Sequence, residues 1–229
     1  MRCYPTARWS GLFPVVRRIM ETNGVVSSYC RRKCRSLTGS SKARDERYKN
    51  LLADCKIRHP FQALSGDITY IRTDEGFDYL CQIRDVHKNL VLGYCQQSRI
   101  SKDIVLKALR TVQKRWDCPR GTIFYSNRGS QYTAHATQQL LGRLDFQPSS
   151  SRVGKPADHA WSESFFANMK KEIIHWNHFR TREEARQTAF NYIETYYNRQ
   201  RVQKRFIFLS PIEYLKQWQK DNQVICNVA

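Results

Sequence analysis

Residues 66–97 read GDITYIRTDEGFDYLCQIRDVHKNLVLGYCQQ, and three β-rich runs stand out in them: 67–72, 77–86 and 90–96. Thr73-Asp74-Glu75-Gly76 separates the first two and His87-Lys88-Asn89 the last two, both turn-like, so the three runs pair as an antiparallel meander. Downstream the hydrophobic period lengthens. Ser101 suits an N-cap, and Val105, Ala108, Leu109, Val112 and Trp116 then recur on one helical face. Residues 122–125 read as a further strand, 133–144 as a second helix and 146–150 as a last short strand. Three antiparallel strands followed by alternating helices and strands make an α/β domain, a mixed sheet of five strands flanked by helices.

After Pro156 the chain reads as helix throughout. Residues 160–174 form one element. Thr181 with Glu184 three positions on is a capping box, and Ala185, Ala189, Ile193 and Tyr196 supply an apolar stripe behind it. Ser210-Pro211 opens a final short helix with Tyr214, Leu215 and Trp218. Upstream of residue 59 the texture is basic, with Arg17, Arg18, Arg31, Arg32, Lys33, Arg35, Lys42 and Arg44 and few acids. Val15, Val16, Ile19 and Met20 give this region one short helical pattern, stopped at Asn23-Gly24. The expected division is a basic, partly helical DNA-binding segment and linker over 1–58, a main domain over 59–220 and a tail over 221–229. A helical DNA-binding module and a plain basic arm both fit the first of these, because a run of charge carries no sequence-reading information by itself.

The charge points to a polyanion. Lys and Arg total 39 against 20 Asp and Glu, a formal charge of +19 with a pI near 9.9, which makes nucleic acid the default partner. An anionic membrane would attract the same charge, but the sequence has no long apolar run, and 12–16 is too short for a signal-peptide core. The expectation is a soluble cytoplasmic protein. Its eight cysteines are scattered, with only Cys30 and Cys34 close together and Cys55 and His59 the nearest further ligands, so free thiols are favoured over a zinc site or a disulfide framework.

Three patches carry chemistry: Gly66-Asp67-Ile68-Thr69-Tyr70; Ser126-Asn127-Arg128-Gly129-Ser130-Gln131-Tyr132; and Trp161-Ser162-Glu163-Ser164-Phe165-Phe166. In order and spacing they resemble the integrase core of bacterial insertion-sequence transposases whose catalytic half comes from a second, overlapping reading frame. Members of that group look like D-I-T-Y, H-S-D-R-G-S-Q-Y and D-N-A-x-x-E-S-F-F, with 35 residues between the second Asp and the Glu. Here, too, 35 residues lie between positions 127 and 163. Farther on, Phe179 to Glu184 and Tyr197-Asn198-Arg199-Gln200-Arg201, then Leu209-Ser210-Pro211 with Tyr214, are similar to the same family's C-terminal signature.

The resemblance implies a ribonuclease-H-like fold and a site of three ligands, Asp67, position 127 and Glu163, holding two Mg²⁺ or Mn²⁺ ions for DNA cleavage and strand transfer. Carboxylates suit that task, since a pair of hard cations about 3.5 to 4 Å apart is held best by charged oxygen. It further implies element ends and target DNA as partners, a homo-multimer on DNA and the product of an upstream reading frame as a second partner. Asn127 departs from the pattern: it offers a neutral carbonyl in place of a carboxylate, so metal binding should weaken and the reaction should be impaired. Lys155, Pro156, His159 and Gln203 also differ from the family's usual residues. The alternative is a catalytically inactive DNA-binding remnant or regulator of transposition, and a simple ribonuclease-H-like nuclease would not require the Y-N-R signature.

Around the triad, Lys170 falls seven positions after Glu163 and so on the same helix face, a candidate for a DNA phosphate, with a solvated lysine as the plain alternative. Arg128, Ser130 and Gln131 suit either DNA contact or local turn chemistry. Arg199, Arg201, Lys204 and Arg205 form a basic cluster expected to meet phosphates, as do Arg31, Arg32 and Lys33. Phe165, Phe166, Tyr192, Tyr196 and Tyr197 fall at core spacing rather than forming a base-stacking platform.

Overall fold

A computed structural model describes residues 12–25, 50–53, 55–150 and 160–226. The chain divides into two compact units, residues 1–37 and 38–229. Of the first, the described part is the helix α1 (Leu12–Thr22), which ends at Asn23 and Gly24, the latter at φ +63°. Arg31, Arg32 and Lys33 lie outside the described residues.

In the second unit the meander forms as expected. β1 (Ala63–Thr73) pairs antiparallel with β2 (Gly76–Asp85), and β2 with β3 (Val91–Gln97). Helix α2 (Lys102–Arg115) follows, its Ser101 cap accepting from Asp103 N–H, and leads to β4 (Ile123–Ser126). The expected second helix forms as α4 (His135–Arg143), preceded by one further short turn of helix, α3 (Ser130–Thr133), and β5 (Gln147–Ser150) completes the sheet. β4 runs parallel to β1 and β5 parallel to β4, in the order β3-β2-β1-β4-β5. The first strand begins four residues earlier than the sequence suggested. Ala63, Leu64, Ser65 and Gly66 are buried between β2 and β4, so this end of β1 lacks the polar–apolar alternation of a half-exposed strand.

Each face of the sheet has its own core. On one side Leu64, Cys81, Ile83 and Leu92 pack against Ile104, Val105, Ala108, Leu109 and Val112 of α2, with Tyr132 and Leu141 of α3 and α4. The approach is close enough that a Cβ on Gly93 would lie 2.6 Å from the Ala108 carbonyl oxygen and 2.8 Å from Val112 Cγ2. Gly93→Ala should therefore destabilise by about 1–3 kcal/mol, read as a lower midpoint in a denaturant titration, because the helix backbone must move to admit the methyl group.

On the other side lie α5 (Ala160–Glu172) and α6 (Arg182–Phe190), where Phe165, Phe166, Met169, Ala185, Ala189, Tyr192, Ile193 and Tyr197 cover Ile71, Leu80 and Val91. The capping box at Thr181 and Glu184 is present. Beyond Phe190 the helix widens into a π-helical stretch, Asn191–Tyr197. That shifts the buried stripe by about one residue: Ile193 and Tyr197 are buried, whereas Tyr196, expected in the core from α-helical spacing, is 42% exposed. The last helix, α7 (Pro211–Cys226), is longer than the short one expected. No described helix is long and apolar enough to cross a membrane.

At its first residue, Val91, the edge strand β3 is capped by a side chain. Asn198 of the Y-N-R stretch, 4% exposed, donates through Nδ2 to Val91 O at 2.9 Å and accepts at Oδ1 from Val91 N–H at 3.0 Å. One amide thus supplies both hydrogen bonds that a neighbouring strand would give. The β2–β3 turn depends on another buried polar group. Asp85 accepts from Phe61 N–H at 3.0 Å and Lys88 N–H at 2.8 Å, yet burial outweighs these bonds and lifts its carboxyl from 3.8 to about 6. A native pKa above the unfolded one means the folded chain binds this proton more tightly. Its contribution to stability is present below about pH 4 and lost as pH rises to about 6, a change of about 3 kcal/mol. The Asp85→Asn chain, which cannot ionise there, should lack that step in denaturant titrations at pH 4 to 7.

Candidate active site

Gly66 pairs with Ser126 across the parallel β1–β4 seam, so the residues that follow, Asp67 and Asn127, stand side by side at the end of the pairing. Gly66 leaves room behind them for aromatic rings: a Cβ there would lie 2.8 Å from Phe124 Cζ and 3.1 Å from Tyr132 Cε1. That wall stays neutral. Burial, above all, pushes the Tyr132 phenol and the Cys81 thiol well up, and the nearby Asp67 charge pushes both the same way.

Asp67 Oδ1 accepts from Ile68 N–H at 2.9 Å and lies 3.5 Å from Asn127 Nδ2, the outer limit of a hydrogen bond. Asn127 Oδ1 accepts from Gly129 N–H at 2.9 Å. Because a backbone N–H can only donate, the atom facing Gly129 is the amide oxygen, and the atom facing Asp67 is the NH₂. Asn127 therefore meets the carboxylate with a donor while its own oxygen is occupied.

Asp67 lies an even number of residues from Ile71, hence on the sheet face covered by α5. Two contacts fix how α5 runs. Near its start Ser164 Oγ accepts from Arg84 Nη1 at 3.2 Å, and Arg84 stands opposite Ser65; farther on, Lys170 Nζ lies 5.1 Å from the centre of the Tyr70 ring. The helix thus advances along β1 in the strand's own direction. Glu163 precedes Ser164 on this helix, and its side chain lies outside what is described. Among the described residues no three His, Cys, Asp or Glu side chains gather into a metal-binding group.

Beneath Asp67 on the same face lie Ser65, Gln82 and Arg84, all at most 1% exposed. Arg84 Nε and Nη2, both amide atoms of Gln82 and Ser65 Oγ have no hydrogen-bond partner there. Sequence reasoning missed this row. Gln82 and Arg84 alternate with Cys81 and Ile83, which reads as an ordinary half-exposed strand, and only the cover provided by α5 shows otherwise.

The expected DNA-contacting residues separate. Arg128 is half-buried just beyond β4, and Arg199 is exposed, its Nε donating to Glu194 O at 3.0 Å. Arg201 does not suit a phosphate role: it grips Glu172 through Nε at 3.0 Å and Nη2 at 2.7 Å, and Tyr192 OH donates to the same carboxylate at 2.7 Å. Its guanidinium is committed to fastening the π-helical stretch to the end of α5.

Two family models described as the integrase core domain match this chain, one over residues 57–156 and one over 163–218. The chain is 39% identical over 162 residues to the transposase for insertion sequence element IS904 of Lactococcus lactis subsp. lactis (strain IL1403), covering 70% of this chain and 64% of that protein. This chain belongs to the integrase-core family of insertion-sequence transposases. It is also 40% identical over 167 residues to transposase InsF for insertion sequence IS3A of Escherichia coli (strain K12), covering 72% of this chain and 58% of that one. It thus spans about three fifths of the curated relatives it matches. Among solved structures, the catalytic core domain of BIV integrase superposes with a TM-score of 0.53 at 16% identity, covering 71% of this chain and 99% of that one. A chain of the simian T-cell lymphotropic virus intasome in complex with PP2A regulatory subunit B56 gamma gives 0.52 at 15%, covering 65% of this chain and 53% of that one. At such identities the likeness concerns the fold, which is ribonuclease-H-like.

Proposed function

We propose that this chain is a transposase that acts on the DNA of its own element, a cleavage and strand-transfer core impaired by Asn127, with Asp67 and Glu163 as its catalytic carboxylates. The observation that carries this is the pairing of Asp67 with Asn127 at the ends of two adjacent parallel strands, Nδ2 to Oδ1 at 3.5 Å. Its partners in this proposal are element ends and target DNA in the cytoplasm, a homo-multimer on that DNA and the product of an upstream reading frame. Exposed Arg199 and Lys204 would meet phosphates, and the +19 charge would draw the polyanion in.

Integrase cores use divalent metals, and Asp67, Asn127 and Glu163 would be the ligands. As found, the Asp67–Asn127 pair does not fit two Mg²⁺ or Mn²⁺ ions. One carboxylate faces an NH₂, and the amide oxygen already accepts from Gly129 N–H. The same contact favours the second proposal, a DNA-binding regulator that occupies the ends without cutting them. A strand-transfer assay on the element's ends, run in Mg²⁺ and in Mn²⁺ beside the Asn127→Asp chain, separates the two. Joining by the unaltered chain at the level of the Asp version would refute impairment, and failure of both to bind the ends would refute a regulator as well.

A further inference from the structure

The loop that follows the Y-N-R stretch carries two exposed apolar side chains on a backbone that suits neither. Residues 203–209 are pinched at the base, where Gln203 and Leu209 form an antiparallel bridge and Gln203 N–H donates to Leu209 O at 3.1 Å. Phe206 anchors the loop inward at 1% exposure, beneath Lys88, whose Nζ also lies 3.6 Å from the centre of the Tyr214 ring. The next two residues turn out: Ile207 is 72% exposed at φ +54° and Phe208 47% exposed at φ +58°. Left-handed backbone is a genuine outlier for a β-branched or bulky residue, and outliers of this kind collect where a surface has a task. Around them the sequence 199–205 holds Arg199, Arg201, Lys204 and Arg205 and no acid, with Arg199 and Lys204 exposed.

We infer that this loop is a DNA wedge: its exposed cations lie along the backbone phosphates while Ile207 and Phe208 press between base steps. The inference rests on the reading of this chain as a DNA-acting core. Apolar tips flanked by Lys and Arg match what a duplex presents, since insertion unstacks a step while the cations neutralise phosphates. A second copy of the chain fits less well as the occupant, because each copy carries +19.

The test titrates the full chain against a short duplex with 2-aminopurine at a flexible TA step, over a range of salt. The unaltered chain binds with a steep salt dependence and raises the fluorescence as the step opens. Ile207→Gly binds about tenfold more weakly, gives no fluorescence rise and keeps the salt slope, since no phosphate contact is lost; Lys204→Ala instead lowers the slope by about one. Glycine accepts the positive φ, so Ile207→Gly also melts higher than the unaltered chain, and its weaker binding is not a failure to fold. Phe208→Ala shows the same loss of affinity. Unchanged affinity and fluorescence in both variants would overturn the wedge and leave the DNA-acting reading standing, whereas an unaltered chain that binds no duplex would sink both. Variants that keep their affinity but change the sedimentation of the free chain would make the loop a contact between copies, and the wedge would be wrong.

Discussion

Asn127→Asp is expected to raise strand transfer on the element's own ends by about 10²-fold or more in Mg²⁺, the scale on which losing one group that stabilises transition-state charge slows an enzyme. The substitution alters little else. The new carboxylate would still accept from Gly129 N–H, which now donates to Asn127 Oδ1 at 2.9 Å, so the turn into α3 should hold. What changes is the atom facing Asp67, an NH₂ replaced by a second carboxylate oxygen.

That exchange also has a signature without any DNA. Two carboxylates with oxygens about 3.5 Å apart repel by several kcal/mol at an effective dielectric near 20, and one of them responds by taking up a proton well above the usual range. The Asn127→Asp chain should therefore melt lower than the unaltered chain at pH 7 without metal, and millimolar Mg²⁺ should restore it, by about 2.7 kcal/mol at a hundred times the dissociation constant. The unaltered chain, whose amide already satisfies Asp67, should show little response to Mg²⁺. Equal Mg²⁺-dependent shifts in the two melting temperatures would contradict this account of Asn127.

How far the sequence could have led is visible in this same pair. Position 127 was legible as a neighbour of Asp67, because the first two patches read as the ends of two strands of one sheet, and what an amide can offer there followed from the side-chain type. Which way the amide points was not legible, since the Gly129 N–H that orients it becomes a partner only once the chain turns after β4. The sheet was readable because strand and helix periods differ, with the exception of the start of β1, where burial on both faces erases the alternation. Tyr196 was misplaced for a related reason. A stripe counted at α-helical spacing cannot anticipate a π-helical stretch, and the widening at Asn191–Tyr197 moves burial to Tyr197. Arg201 shows the limit of charge as a guide, because a cluster of cations does not reveal that one of them is held by Glu172 until α5 and the π-helical stretch are brought together.

Arg186→Leu is expected to destabilise the fold by about 3–5 kcal/mol, although Arg186 belongs to none of the three patches that carry chemistry. Its guanidinium reaches from α6 to β2, donating through Nε at 3.1 Å and Nη2 at 3.0 Å to the two oxygens of Asp78, a side chain with no exposed surface. Removing the cation leaves a carboxylate buried alone, and the cost comes from that stranded charge rather than from the net worth of the pair. In a unit of this size the loss corresponds to a melting temperature lower by about 10 °C. Asp78→Leu combined with Arg186→Leu removes the stranded charge and should recover much of the loss. No recovery in the double variant would mean that Arg186 acts through the packing of its alkyl stem on β2 and not through Asp78.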